Sequence, residues 1–280
     1  MKIFLDSAEL EHIELAASYG ILDGVTTNPS LIKKAVTSRQ QRGEDVDLQA
    51  YLCRLLETAA DVPVSLEVIG TRRQDMEKEG MFLFGRFNPV ADNVTIKVPV
   101  NPSLTENGNG HYEGVETIKA LADRGIPVNC TLVFTPEQAL LGAKAGASIV
   151  SPFAGRLDDY LREQNQQVFA KEDYFPADGL EQGDVRDDNG VVSGIDLVGQ
   201  CVDILAESGL TAEVLAASLR NPRQVREAAL VGAQIATLPF AVISRLLVHP
   251  KTMEGMQGFT RDVVPEYARL FEEKKVKSEE

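Results

Sequence analysis

Eight short runs rich in β-branched residues alternate with helical patterns along these 280 residues, and no other feature restricts the fold as strongly. The runs are Ile3 to Asp6, Gly24 to Asn28, Val62 to Ile69, Val94 to Val100, Val128 to Val133, Ser148 to Phe153, Val214 to Leu219 and Gln234 to Leu238. Strands that alternate with amphipathic helices argue for βαβ units and a parallel sheet. Eight of them in one domain-sized chain argue for a closed barrel, an architecture that commonly fills about 250 residues. A single α/β domain over residues 1–280 is therefore expected, and a hydrophobic content of 44% supplies its core.

Helix punctuation fits this reading. Ser7 is expected to cap the first helix, with Glu9 and Glu11 in its opening turn and Gly20 near its end. Asn28-Pro29, Thr135-Pro136 and Asn221-Pro222 each put a proline at a first helical position. Three segments exceed what a minimal barrel requires: 37–47, 101–113 and the acidic 160–193, in which Asp187-Asp188-Asn189-Gly190 reads as a turn. Enlarged connections after strands lie where barrel active sites form. Beyond the eighth barrel helix, Phe259, Val263, Tyr267, Leu270 and Phe271 recur at helical spacing. They predict a C-terminal helix over 259–275 whose apolar stripe covers its own barrel or packs on a second subunit.

Charge and cysteines narrow the function. A net charge of −14, from 28 basic and 42 acidic side chains, disfavours nucleic acid and anionic membranes as partners. Any bound phosphate must be held by a few placed cations and backbone amides. Cys53, Cys130 and Cys201 have no metal-ligand spacing and imply no disulfide framework. No signal-peptide pattern opens the chain, and the most apolar stretch, Gly232 to Val248, is broken by Gln234, Ser244 and Arg245. A cytoplasmic location is the expectation.

The run Val94-Thr95-Ile96-Lys97-Val98-Pro99-Val100 carries one cation inside a β-branched strand. A buried ammonium is costly, the neutral amine is cheaper there, and a neutral lysine amine forms Schiff bases with carbonyl compounds. A lysine at a strand end can equally snorkel its charge to water. Asp6, Asn28, Glu67, Thr131, Arg156, Ser218 and Arg220 are each ambiguous alone. Asp6 ends the first run, and Asn28 precedes Pro29 as an N-cap would. Glu67 needs a partner if buried, which Lys97 on the adjacent strand can supply. Ser218 and Arg220 project to one side just before a helix N-terminus, a ready anion site, and Arg156 follows the sixth run. Two arginine forks converging there suit a phosphate, although acids such as Asp158 offer them surface ion pairs instead. All of these positions fall at strand C-termini.

Six ordered motifs then resemble the transaldolase family: Phe4-Leu5-Asp6-Ser7, Gly24-Val25-Thr26-Thr27-Asn28-Pro29-Ser30, Ile96-Lys97-Val98-Pro99, Asn129-Cys130-Thr131-Leu132, Ser151-Pro152-Phe153-Ala154-Gly155-Arg156 and Ala216-Ala217-Ser218-Leu219-Arg220-Asn221-Pro222. The resemblance implies a (β/α)8 TIM barrel and class I aldol chemistry, with sugar phosphates as substrates, a homo-oligomer, and neither metal nor cofactor. It implies Lys97 as the Schiff-base lysine, Asp6 as the acid/base, and Glu67 with Thr131 as the holders of a catalytic water. It assigns Asn28 and Ser151 to the donor, Thr26 and Phe153 to substrate binding, and Arg156, Ser218 and Arg220 to the phosphate. Fructose-6-phosphate aldolases, related enzymes that release dihydroxyacetone, typically have glutamine and tyrosine where this chain has Glu67 and Phe153. Transfer is therefore the expectation. The segments after Lys97 and at 160–193 depart from the family pattern and bear on acceptor specificity.

Overall fold

In the computed structural model, which describes residues 1–105, 110–180 and 186–272, every predicted run contributes a strand. The strands are β1 (Lys2–Asp6), β2 (Gly24–Thr26), β3 (Val64–Glu67), β4 (Val94–Pro99), β5 (Val128–Val133), β6 (Ile149–Pro152), β7 (Glu213–Ala216) and β8 (Ile235–Leu238). They close in chain order into a parallel barrel, β8 pairing with β1 through Lys2–Ile235 to Leu5–Leu238. Around it run α1 (Leu10–Ser18), α2 (Pro29–Gln41), α3 (Leu48–Thr58), α4 (Arg73–Ala91), α5 (Glu113–Ala122), α6 (Pro136–Lys144), α7 (Ala154–Gln164), α8 (Gly194–Glu207), α9 (Pro222–Leu230) and the short α10 (Phe240–Ile243). This is the (β/α)8 architecture that the alternation predicts.

Side chains alternate along each strand, so residues two apart share a face. Phe4, Ile149, Leu215 and Ile235 meet inside the barrel, with Phe153 and Ala217, in one buried apolar cluster. The Phe4 ring fits because residue 24 is glycine; a Cβ there would lie 2.4 Å from the ring. Two residues on, the positions on β1, β6 and β8 are polar, Asp6, Ser151 and Thr237, while β7 has Ala217. The apolar cluster thus fills the start of the strands and reaches their C-terminal end at Phe153 and Ala217, next to the polar positions.

Several local expectations change. Ser7 does not cap α1; its Oγ accepts from Glu9 N at 3.1 Å and lies 3.1 Å from His12 Nδ1, and the helix opens only at Leu10. The hydroxyl is used in a turn that carries the chain off the barrel rim. Asn28 lies beyond β2 and caps α2, accepting from Leu31 N at 3.0 Å. Thr135 and Asn221 cap α6 and α9 as their proline partners predict. Helix α2 continues to Gln41, so the break within 37–47 is limited to 42–47, between two helices and not directly after a strand.

Helix α7 likewise absorbs 160–164, residues 181–185 lie outside the described ones, and residues 169–175 pack back on α7 and α9. Arg162 stacks on Phe169 and Phe175 and donates to Asp173 O at 2.8 Å, while Tyr174 donates to Glu227 at 2.9 Å beneath the Arg223 guanidinium. The predicted turn is present: Asp188 and Val191 exchange backbone hydrogen bonds around Asn189 and Gly190, both at positive φ. In 101–113, Asn107, Gly108 and Asn109 lie outside the described residues.

Residues Ser244–Glu280 form a unit distinct from Met1–Ile243. It holds two helices, α11 (Pro250–Arg261) and α12 (Pro265–Glu272), where one was predicted over 259–275. Pro265 explains the break, because it lacks an N–H and biases the preceding residue away from helical conformation. Phe259 therefore ends up on α11, and Tyr267, Leu270 and Phe271 on α12, with the Tyr267 and Phe271 rings edge to face at 5.4 Å. Residues 273–275 of the predicted helix lie outside the described ones.

Candidate active site

Lys97 stands on β4, fixed by pairing with Glu67 on β3 and Asn129 on β5. It is 5% exposed and does not snorkel to water. Its Nζ lies 3.2 Å from Glu67 Oε2 and donates to Thr27 O at 3.3 Å. The buried lysine and the carboxylate that each needed a partner have found one another.

Asp6 ends β1, in register with Thr26 on β2. Thr26 Oγ1 donates to Asp6 Oδ1 at 2.8 Å and lies 2.5 Å from Thr237 Oγ1. A hydroxyl has one proton, so with that proton on Asp6 the Thr237 hydroxyl is the donor to Thr26. Burial pushes the Asp6 carboxyl above its ordinary value, against opposing effects from Lys97, the Thr26 hydrogen bond and Arg156. That displacement moves a carboxyl towards the range where it can both take and return protons near neutrality.

Across the barrel, Ser151 Oγ donates to Asn129 Oδ1 at 2.6 Å, and Asn129 Nδ2 donates to Ser65 Oγ at 3.2 Å. This line of hydrogen bonds spans β6, β5 and β3, across the inward face of β4. Two residues further on, Thr131 is fully buried and its Oγ1 has no hydrogen-bond partner among the described residues. The strand around it is irregular: the β5–β6 register shifts between Cys130 and Val133, and Leu132 sits at φ 57°. Bulges and positive-φ non-glycine residues of this kind collect at functional sites, where they re-aim neighbouring side chains. An orphaned hydroxyl on the strand next to Lys97, two positions beyond its register partner Asn129, is equipped to hold a reacting water or substrate oxygen.

The remaining predicted residues gather at β6 and β7. Arg156 lies in the first turn of α7, its guanidinium 4.9 Å from the Phe153 ring centre. Ser218 follows β7 at φ 62°, a costly conformation for serine. A Cβ on Gly155 would lie 2.2 Å from Ser218 O, 3.2 Å from Ser218 Oγ and 2.9 Å from Arg220 Nε, so only glycine lets α7 begin this close to the two side chains. Arg220 is ion-paired through both Nη atoms with Asp159, whereas Asp158 accepts from Gly194 N at 2.7 Å and Gln224 Nε2 at 2.8 Å. Burial pushes the Asp158 carboxyl up to about 6. Asn28 uses its side-chain oxygen as a helix cap, which leaves the amide nitrogen as the group to offer a ligand.

Comparison with known proteins decides the family. The chain matches the family described as Transaldolase/Fructose-6-phosphate aldolase over residues 3–278. It is 42% identical to a probable transaldolase of Chlorobium phaeovibrioides over 264 residues, 94% of this chain and 97% of that protein. Probable transaldolases of Exiguobacterium sp. and Thermodesulfovibrio yellowstonii are 37% and 38% identical over 262 residues, again 94% of this chain and 97% of theirs. This chain belongs to the transaldolase/fructose-6-phosphate aldolase family.

For a member of the transaldolase family, Asn129, Thr237 and Asp159 are the polar residues that the sequence reading passed over. Asn129 precedes Thr131 by two positions and so shares its face, a usable signal. Thr237 is a β-branched residue in a strand and needs no functional reason to be there. Asp159 pairs across 61 positions of sequence, which no local pattern announces. The thiols of Cys130 and Cys201 are pushed up to about 12 by burial, which removes them as nucleophiles at ordinary pH. No group of His, Cys, Asp and Glu able to hold a metal ion occurs among the described residues, and none of their helices is long and apolar enough to cross a membrane.

Proposed function

We propose that this protein is a transaldolase, moving a dihydroxyacetone unit from fructose 6-phosphate or sedoheptulose 7-phosphate to glyceraldehyde 3-phosphate or erythrose 4-phosphate. The observation that carries the proposal is the buried Lys97 Nζ within 3.2 Å of Glu67, with the unpartnered Thr131 hydroxyl on the next strand. The neutral Lys97 amine attacks the ketose C2 carbonyl. Glu67 and Thr131 hold the water that moves protons while the carbinolamine loses hydroxide as water and becomes a protonated Schiff base. Asp6 removes the C4 hydroxyl proton, the C3–C4 bond breaks, and its electron pair enters the iminium to leave an enamine and a free aldose phosphate. A second aldose phosphate then takes the enamine carbon at its aldehyde, Asp6 returns the proton, and water hydrolyses the Schiff base. Thr26, Asn28 and Ser151 serve the donor hydroxyls. Arg156, Ser218 and Arg220 hold the phosphate far from the reacting bond, which supplies orientation.

Transfer, not release of dihydroxyacetone, is favoured by Phe153. Its ring lies against Arg156 and offers no proton to an enamine. In this reading the enzyme works in the cytoplasm within the pentose phosphate pathway, on sugar phosphates, with no nucleic acid or membrane partner. It assembles with its own copies through the apolar residues of α11 and α12. The test supplies fructose 6-phosphate with and without erythrose 4-phosphate. Sedoheptulose 7-phosphate should form faster than free dihydroxyacetone. Borohydride trapping should label the peptide containing Lys97 and fail in Lys97→Met. Faster release than transfer overturns transferase activity, and labelling of another lysine overturns the assignment.

A further inference from the structure

The environment of Arg220 extends the phosphate reading, on which the following inference rests. A guanidinium has five N–H donors in a fixed plane. In Arg220, Nη1 donates to Asp159 Oδ1 and to Lys171 O at 3.0 Å, and Nη2 donates to Asp159 Oδ2. Among the described residues three of the five donors are engaged, all at the Nη end. The other two, Nε–H and the second Nη2–H, lie along a single edge of the plane. Nε is the atom that closes on Gly155, next to Ser218 Oγ and the first turn of α7 that carries Arg156. The free edge thus begins at the atom that lies nearest Gly155, where Ser218 Oγ also lies. Two parallel N–H groups on one edge match two oxygens of a phosphate.

Asp159 is itself held. Arg162 Nη1 lies 3.7 Å from its Oδ1, and Arg162 is clamped by Phe169, Phe175 and Asp173 O of the segment after α7. The Arg220 backbone is fixed separately, its N–H donating to Gln224 Oε1 at 2.9 Å while Gln224 Nε2 donates to Asp158. Main chain and guanidinium are therefore positioned by different acids.

We propose that Asp159 is a positioning residue. With the carbonyl of Lys171 it occupies the Nη end of Arg220 and presents the Nε edge to the substrate phosphate, which makes residues 169–175 after α7 a built part of the phosphate site and not a peripheral insertion. Without the carboxylate, the guanidinium must be ordered again with each binding event. The loss should appear in KM for phosphorylated substrates, while kcat and the use of unphosphorylated fructose stay near their original values.

The test compares Asp159→Asn, Asp159→Glu, Arg220→Ala and the double variant Asp159→Asn/Arg220→Ala on fructose 6-phosphate and on fructose. Asp159→Asn should raise KM for fructose 6-phosphate about tenfold, the scale of one charge-assisted hydrogen bond, with little change on fructose. Asp159→Glu should recover most of that loss, and Asp159→Asn should add nothing once Arg220 is alanine. Equal losses on both substrates, a lowered KM, or additive effects in the double variant would each overturn the proposal while leaving the phosphate site standing. If Arg220→Ala leaves the preference for phosphorylated substrate unchanged, the phosphate site itself is misassigned and the proposal fails with it.

Discussion

Replacing Thr26 by valine removes a hydroxyl and preserves shape, and it acts on Asp6 through a single atom. Thr26 Oγ1 donates to Asp6 Oδ1 at 2.8 Å and, among the described residues, is the only side chain that hydrogen-bonds that carboxyl. A hydrogen bond to a charged acceptor is worth about 1.5–3 kcal/mol. The bond favours the ionised carboxylate, so its loss raises the Asp6 pKa further. Asp6 must be ionised to take the C4 hydroxyl proton, so the acid limb of the kcat/KM profile should move to higher pH, with kcat/KM on that limb lowered about tenfold or more. Well above the limb, the plateau should fall only by what the Thr26 hydroxyl contributes to holding the donor, with no further dependence on pH. The assay is kcat/KM for fructose 6-phosphate with erythrose 4-phosphate across pH 4.5 to 9, each variant checked for folding by circular dichroism, a range set by ordinary carboxylate and histidine titration at roughly 4 to 7. Thr237→Val is the control. It removes the donor to Thr26 at 2.5 Å but leaves the Thr26–Asp6 bond, so the limb should move much less. A limb that stays in place or moves to lower pH in Thr26→Val would refute both the bond's role and the assignment of Asp6 as the base.

Asp158 yields a stability prediction with a defined sign. Its folded pKa of about 6 lies above the ordinary 3.8, so the folded state binds the proton more tightly, and stability from this group grows as pH falls from about 7 towards 4. From pH 7 to pH 5 the wild type should gain about 1.3 kcal/mol relative to Asp158→Asn in urea titrations; parallel pH curves would exclude the shift. The proposed assembly predicts that removing residues 262–280, and with them α12, lowers the particle mass measured in solution by light scattering. An unchanged mass would rule out α12 as the contact.

Much of the barrel could be read before any coordinates. Period-two β-branched runs, proline at first helical positions and Asn or Thr caps are local signals, and each acts within a few residues of its cause. The Lys97–Glu67 contact was also accessible, since neighbouring strands in a parallel barrel bring their inward residues side by side. Local signals failed where a single residue overrode a pattern. Pro265 splits an otherwise regular apolar spacing, and the Ser7 hydroxyl serves a turn two residues ahead of the helix it was expected to cap. What lay beyond the sequence were the pairings across the barrel: Ser151 with Asn129 and Ser65, Thr26 with Thr237, and Arg220 with Asp159 and Lys171. They depend on strand register, on a bulge at Leu132 and on the path of the segment after α7. Hydrogen bonds reach only about 3 Å, so a partner 61 or 211 positions away becomes a partner only when the fold delivers it. Residue types in the motifs settled which chemistry the chain could carry, and barrel closure settled which atoms meet to perform it.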